Sequence, residues 1–272
     1  MDQSSEQTDN SQQPIGVFDS GVGGLSVLAH IRQRLPRENL LYAADSAFAP
    51  YGEKTTAEIR KRVLKVSESL LELGAKALVV ACNTATAAAV HQLRERYPHL
   101  PVVGMEPGLK PAVNGSRKRR VGVLATTGTL SSDRFRQLME RYASGTGVML
   151  QPCPGLVEQV EQGAFGDSYT ESLLNRYLEP LLHQEVDTLV LGCTHYPFLS
   201  KQIRQLAGDH VAVIDTGPAV ARQVEQRLIH HQLLNIEQDE GDVQFFTSGD
   251  PVSYLPLFNR LWGDDVVLQK LV

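Results

Sequence analysis

Two segments of this chain follow one pattern, and together they restrict what it can fold into. Residues 77–84 read Ala-Leu-Val-Val-Ala-Cys-Asn-Thr, and residues 188–195 read Thr-Leu-Val-Leu-Gly-Cys-Thr-His. Each has an apolar run, a small residue, a cysteine and then polar residues. A short run that is continuously apolar, not alternating, fits a parallel strand covered on both faces. In each segment a strand should give way to a helix at the cysteine. Two thiols offered in the same way from two halves of one chain suggest a site with sulfur on each wall. Such a site suits chemistry in which a proton leaves one face of a carbon and arrives at the other.

The rest of the chain repeats on the same scale. Residues 15–20, Ile-Gly-Val-Phe-Asp-Ser, resemble residues 121–126, Val-Gly-Val-Leu-Ala-Thr. The cysteine follows 66 residues after Gly16 in the first copy and 71 after Gly122 in the second. Buried strands are expected at 15–18, 40–43, 77–81, 102–104, 121–124, 188–191 and 211–214. Amphipathic helices are expected at 25–35, 55–73, 84–96, 133–142, 169–183, 198–206 and 219–231. The alternation predicts an α/β fold: two similar doubly wound lobes with mainly parallel sheets, facing each other across a cleft.

The Pro/Gly-rich stretch 106–115 marks the expected boundary. Residues after 217 have no counterpart in the first copy and carry a helix, an apolar run at 243–247 and a last helix at 254–262. They are expected to return to the first lobe. The expected division is 14–107 plus 218–272 for the first lobe and 108–217 for the second. Residues 1–13, polar throughout, form an expected flexible tail.

Composition narrows the class. The formal net charge of −5 argues against a nucleic-acid surface, which needs a basic face. The basic run Arg117, Lys118, Arg119 and Arg120 reads as a solvated turn before a strand. No apolar stretch approaches the roughly 20 residues of a membrane span, and the first thirteen residues lack the apolar core of a signal peptide. Three cysteines, an odd number, with no secretion signal point to free thiols in a reducing cytoplasm.

In open α/β sheets ligands bind beyond the carboxyl ends of the strands. Asp19, Ser20, Cys82, Asn83, Thr126, Cys193, Thr194 and His195 all follow predicted strands, so two facing lobes would bring them to one cleft. A thiol has an unperturbed pKa of about 8.5, lowered at a helix N-terminus or beside a cation. Cys82 and Cys193 are therefore expected to exchange between thiol and thiolate near neutral pH and to act as acid and base. A zinc site would need three or four ligands, and only Cys82, Cys193 and His195 are on offer. A Cys-His hydrolase leaves the second cysteine without a task, and a redox Cys-x-x-Cys pair is absent. Cys153, between two prolines, has no counterpart in the repeat and reads as structural.

Asp19 is placed to orient a thiol, to receive its proton or to hold an ammonium group; helix capping would equally suit it. His195 occupies the matching place in the second lobe. Gly-Val-Gly-Gly at 21–24 fits no phosphate-loop pattern and reads as a place where backbone is approached closely. Ser20, Asn83, Thr84 and Thr194 supply neutral donors suited to a carboxylate. Residues 49–52, Ala-Pro-Tyr-Gly, read as a loop with an aromatic anchor. A two-lobed binding module without turnover would explain the cleft but gives matching thiols no purpose.

Four motifs resemble those of the glutamate racemase family: Asp-Ser-Gly-Val-Gly-Gly at 19–24, Pro-Tyr-Gly at 50–52, Ala-Cys-Asn-Thr-Ala at 81–85 and Gly-Cys-Thr-His-Tyr-Pro at 192–197. The resemblance runs in the family's order from about residue 15 to near the C-terminus and leaves the tail outside. It implies cofactor-independent interconversion of L- and D-glutamate, with D-glutamate entering peptidoglycan. Carried over, Cys82 removes the proton from D-glutamate and Cys193 from L-glutamate, assisted by Asp19 and His195. Ser20, Tyr51, Gly52, Asn83, Thr84, Thr126 and Thr194 become substrate contacts, and Glu161 lies near the site. Within the same superfamily, aspartate, hydantoin or maleate are alternative substrates. Some extended members are regulated by a cell-wall precursor, which makes such a precursor a candidate partner.

Overall fold

The computed structural model describes residues 10–263 and 266–271. Its described strands form two sheets in which every pairing is parallel. The first half of the chain supplies β1 (Ile15–Asp19), β2 (Leu40–Ala44), β3 (Ala77–Val80) and β4 (Val102–Gly104). Then come β5 (Arg120–Ala125), β6 (Gly147–Pro152), β7 (Thr188–Leu191) and β8 (Ala212–Ile214), and finally β9 (Val243–Thr247) and β10 (Leu268–Lys270). One sheet has the order β10-β9-β2-β1-β3-β4 and the other β6-β5-β7-β8. The last two strands thus join the sheet of the first four.

The crossovers are helical, as parallel pairing requires. They include α1 (Leu25–Arg34), α2 (Thr56–Glu72), α3 (Asn83–Arg96), α4 (Leu109–Gly115), α5 (Thr127–Leu130) and α6 (Asp133–Tyr142). The second half adds α7 (Leu156–Glu161), α8 (Ser168–His183), α9 (Ser200–Ala207), α10 (Gly217–His230) and α11 (Pro251–Trp262). Their ends carry local signals. Thr55 and Glu58 form a reciprocal capping box at the start of α2, satisfying two otherwise orphaned N–H groups. Asp250 caps α11 and Pro251 opens it, where the missing N–H costs nothing.

Register makes the two sheets equivalent around the site. Phe18 pairs with Val80, and Leu124 pairs with Leu191. Cys82 and Cys193 each lie two residues past the second residue of such a pair, and Ser20 and Thr126 lie two past the first. Helix α10, which follows the last strand of the second sheet, packs back on α1, burying Leu25, Leu28 and Ile31 with Val220, Val224 and Leu228. Burying one such side chain stabilises the fold by roughly 1.5–3 kcal/mol relative to exposure.

The structure departs from the sequence reading in several places. Strand β6 was not expected, because it lies at a sheet edge with half-exposed faces and lacks a continuous apolar run. The expected linker at 106–115 contains α4. Pro111 sits in its first turn, where no backbone donor is needed, and Leu109 and Ala112 are buried beneath the second sheet. Residues 1–9 of the expected flexible tail lie outside the described residues. Residues 10–13 are held: Asn10–Gln12 form a single turn, Asn39 donates to the Gln12 carbonyl at 3.0 Å and the Lys76 ammonium donates to the Ser11 carbonyl. The basic run at 117–120 is exposed, and Asp187 fixes its turn by accepting from the N–H groups of Arg117 and Lys118 at 2.7 Å each.

Candidate active site

Asp19, the last residue of β1, is fully buried. One carboxylate oxygen accepts from the Ser20 N–H at 2.6 Å. The other accepts from the Thr194 hydroxyl at 2.9 Å, so this carboxylate joins the two lobes. Burial raises Asp19 above the usual carboxylate range, while His195, Thr194, Ser20 and Cys82 pull it back. The loop after it is pressed against the second lobe. A Cβ on Gly21 would fall 1.8 Å from Glu161 Oε1, and one on Gly23 would fall 2.4 Å from His195 Nδ1. The glycines at these positions admit side chains of the facing lobe.

Cys82 is the N-cap of α3, and its sulfur accepts from the Ala85 N–H at 3.4 Å. Its thiol donates to the Ser20 hydroxyl at 3.8 Å. The helix N-terminus was expected to lower this thiol towards neutrality. Instead burial, then the nearby Asp19 carboxylate, push it well above its ordinary value, and the Ala85 N–H offsets only part of that. Desolvation outweighs the helix end because the sulfur has almost no contact with water.

Cys193 sits in a different turn. It is followed by a tight turn at Tyr196–Leu199 before α9, so no helix begins directly at its sulfur. Its partner is His195, with Nδ1 3.6 Å from Sγ. His195 Nε2 lies 2.6 Å from Glu161 Oε1, which also accepts from the Val22 N–H at 2.8 Å. When the imidazole is neutral, the carboxylate at Nε2 favours the tautomer that carries its proton there and leaves Nδ1 to accept from the thiol; when it is an imidazolium, Nδ1 donates to the sulfur. Burial alone would lower the imidazole, but Cys193 and Glu161 raise it well above its usual value.

These groups border a cavity with about 300 Å³ of empty space, lined by Ser20, Tyr51, Gly52, Cys82 and Asn83, and by Thr84, Thr126, Cys193, Thr194 and His195. Every expected site residue is on its wall except Asp19, which stands behind Ser20 and Thr194. Both cysteines are almost closed off from solvent, 6% and 7% exposed. The two amide atoms of Asn83 are buried and have no hydrogen-bond partner. Buried polar groups are rarely left so, and a ligand in the cavity would satisfy them.

Tyr51 differs from expectation. Its hydroxyl turns away from the cavity and donates to Asp45 at 2.5 Å. The buried Asp45 is also gripped by the Arg62 fork at 2.9 and 2.7 Å. The Tyr51 ring is therefore wall, while Asp45 and Arg62, which the sequence reading missed, fix its position. Thr129 was missed as well. The Thr84 hydroxyl lies 3.0 Å from that of Thr126 and 3.1 Å from that of Thr129, joining the lobes on the far side of the cavity. The hydroxyl-rich run at 126–129 after β5 was the available signal. Cys153, read as structural, is buried and donates to the Gln151 carbonyl at 3.3 Å.

Relatives carry the same fold. The family model described as Asp/Glu/hydantoin racemase matches residues 15–224. A glutamate racemase of Ectopseudomonas mendocina is 58% identical over 240 residues, covering 88% of this chain and 91% of the relative. The crystal structure of a Bacillus anthracis glutamate racemase superposes with a TM-score of 0.86 at 33% identity, covering 96% of this chain and 98% of that one. The Escherichia coli glutamate racemase, solved in complex with L-glutamate and the activator UDP-MurNAc-Ala, gives 0.84 at 34% identity, with 96% and 98% covered. With that likeness along nearly the whole of two lobes that close on a thiol-lined cavity, the chain belongs to the Asp/Glu/hydantoin racemase family, and within it to the glutamate racemases.

Proposed function

We propose that this enzyme interconverts L- and D-glutamate by two-base proton transfer through Cys82 and Cys193, without a cofactor. The thiolate on one wall takes the α-proton and becomes a thiol. The thiol on the other wall gives its proton to the opposite face and becomes a thiolate. One base would return the proton to the face it came from, whereas two facing thiols invert the centre without turning the substrate. The observation that carries this reading is that sulfurs from equivalent positions of two sheets border one cavity.

The α-proton is very weakly acidic, so the base must be strong. The raised Cys82 thiol makes a correspondingly basic thiolate, and an incoming substrate ammonium would favour forming it in the dry pocket. Ser20, Asn83, Thr84, Thr126 and Thr194, with the backbone at Gly52, are assigned to the substrate carboxylates. Fixed donors at the α-carboxylate stabilise the carbanion-like state as charge moves onto it. Asp19 serves Cys82, and His195 serves Cys193. By analogy with the family, Cys82 acts on D-glutamate and Cys193 on L-glutamate, and the D-glutamate enters peptidoglycan from the cytoplasm. Among the described residues no helix is long and apolar enough to cross a membrane.

A second cavity, with about 1030 Å³ of empty space, is lined by Arg94, Lys110, Arg134 and Arg227. Arg94 is lowered by burial and by its neighbours Arg134 and Arg227 and raised by Glu106; Arg134 is paired with Glu106 at 2.5 Å, and with Asp215 as the other carboxylate on the lining the cavity keeps an excess of positive charge. This cavity supports regulation by an anionic cell-wall precursor, of the kind bound by the Escherichia coli relative.

The test of the two-thiol cycle is substitution of each sulfur. Cys82→Ala and Cys193→Ala are each expected to abolish racemisation while keeping the circular dichroism of the parent. In heavy water, product should carry α-deuterium before the remaining substrate does. Parental turnover in either variant would end the paired-base reading.

A further inference from the structure

A two-base racemase finishes each turnover in the mirror protonation state. The thiol that gave a proton is now a thiolate, and the thiolate that took one is now a thiol. Before the same enantiomer can react again, protons must be exchanged, and the substrate cavity is almost closed to solvent. The two sulfurs differ in their access to another route.

Behind Cys193 lies a chain of groups, Sγ to His195 Nδ1 at 3.6 Å and His195 Nε2 to Glu161 Oε1 at 2.6 Å. The second oxygen, Glu161 Oε2, is buried and has no hydrogen-bond partner. Glu161 also borders a separate cavity of about 820 Å³ between α7 and α11, where Ser253, Tyr254 and Arg260 face it. No residue bordering that cavity borders the substrate cavity. Arg260 is held by the Gly163 carbonyl and stacks over the Phe165 ring, which keeps this wall in place. Asp19, the carboxylate beside Cys82, is fully buried and borders neither cavity.

We propose that His195 and Glu161 relay protons between Cys193 and water in the cavity beside α11, so that Cys193 is reset while the substrate cavity stays closed. This rests on the two-thiol reading. In the outward direction, starting from neutral His195 with its proton on Nε2, the S–H bond of Cys193 breaks and an N–H bond forms at Nδ1. The Nε2–H bond breaks and an O–H bond forms at Glu161 Oε1. The carboxyl group turns about Cγ–Cδ and releases that proton to water. The inward direction reverses each step, and nothing is oxidised or reduced. Glu161 acts through His195 and does not touch the substrate.

The test is Glu161→Ala assayed with and without sodium formate, a carboxylate small enough for the cavity. Steady-state turnover should fall at least about tenfold, as expected for loss of a positioned proton-transfer group. Formate should restore it in a dose-dependent way, and sodium chloride at equal ionic strength should not. A turnover that formate leaves unchanged overturns the relay. Should Glu161→Ala prove insoluble, Glu161→Gln decides. Its amide keeps the shape but cannot take up a proton and pass it on, so it should give a burst of one product per enzyme followed by slow turnover. A Glu161→Gln enzyme with no burst overturns the relay. Formate is also given to Cys82→Ala and Cys193→Ala. If either retains turnover, the two-thiol reading fails; if both stay inactive and Glu161→Ala is not rescued, only the relay fails.

Discussion

Asp45 gives the sharpest test of how the site is held. Its carboxylate is fully buried, takes two hydrogen bonds from Arg62 and one from Tyr51, and touches no part of the substrate cavity. Asp45→Ala removes all three bonds. The Tyr51 hydroxyl, on a residue 1% exposed, then lacks a partner, at a cost of about 1–3 kcal/mol. A fully stranded buried charge would cost about 3–5 kcal/mol. The Arg62 side chain, however, is 15% exposed and stacks on Phe48 at 3.6 Å, so its outer edge can hydrate and it adds less than that. The combined loss is about 3 kcal/mol, equivalent to a fall in Tm of roughly 6–12 °C for a protein of this size. Tyr51→Phe, which leaves the Asp45–Arg62 pair intact, should cost only about 1 kcal/mol. Thermal melts give the stability of both variants. Kinetics should show KM rising more than kcat falls, because Tyr51 and Gly52 form the cavity wall without joining the proton transfer. An Asp45→Ala enzyme melting within about 2 °C of the parent, with unchanged KM, would refute the claim that this ion pair positions the wall.

Two further outcomes are expected. His195 is raised well above its usual value, so its contribution to stability is full below its unfolded pKa of about 6.5 and is lost as pH rises through the folded value. Urea midpoints measured from neutral to alkaline pH should therefore decline in the parent and decline less in His195→Gln; equal slopes would contradict this. The buried pair of Lys76 and Glu38, 2.5 Å apart, predicts that Lys76→Met costs about 3–5 kcal/mol in denaturant titration, because it takes the counter-charge from a buried carboxylate that keeps the Asn235 N–H at 2.8 Å. Adding Glu38→Leu should recover part of that loss, since it removes the uncompensated charge but also the acceptor of the Asn235 N–H.

The periodicity of the chain revealed those elements whose faces are both covered. Strands β1, β3 and β7 are fully buried and are apolar but for Asp19 at the end of β1 and Thr188 at the start of β7, so their sequence announces them. Edge strand β6 has solvent on much of its surface, and its Gly-Val-Met-Leu-Gln-Pro carries no such constraint. Short helices such as α5 and α7 hold one or two turns by contacts with the rest of the molecule, and no stripe of apolar residues marks them. At the site, the strand-end positions of Asp19, Cys82 and Cys193 were legible because parallel sheets bind ligands at that end. Asp45 and Arg62 were not, because their roles arise from a contact between a strand end and a helix seventeen positions away in the chain.

Local pattern alone determined the two-lobed α/β layout and which residues stand at the strand ends, since backbone hydrogen bonding and burial act on every residue in the same way. Folding in three dimensions decided how unlike the two thiols are. One lies in a dry pocket beside a carboxylate, the other against an imidazole whose carboxylate partner borders a second cavity. Their surroundings come from distant segments brought together, and proton affinity depends on those surroundings more than on the cysteine itself.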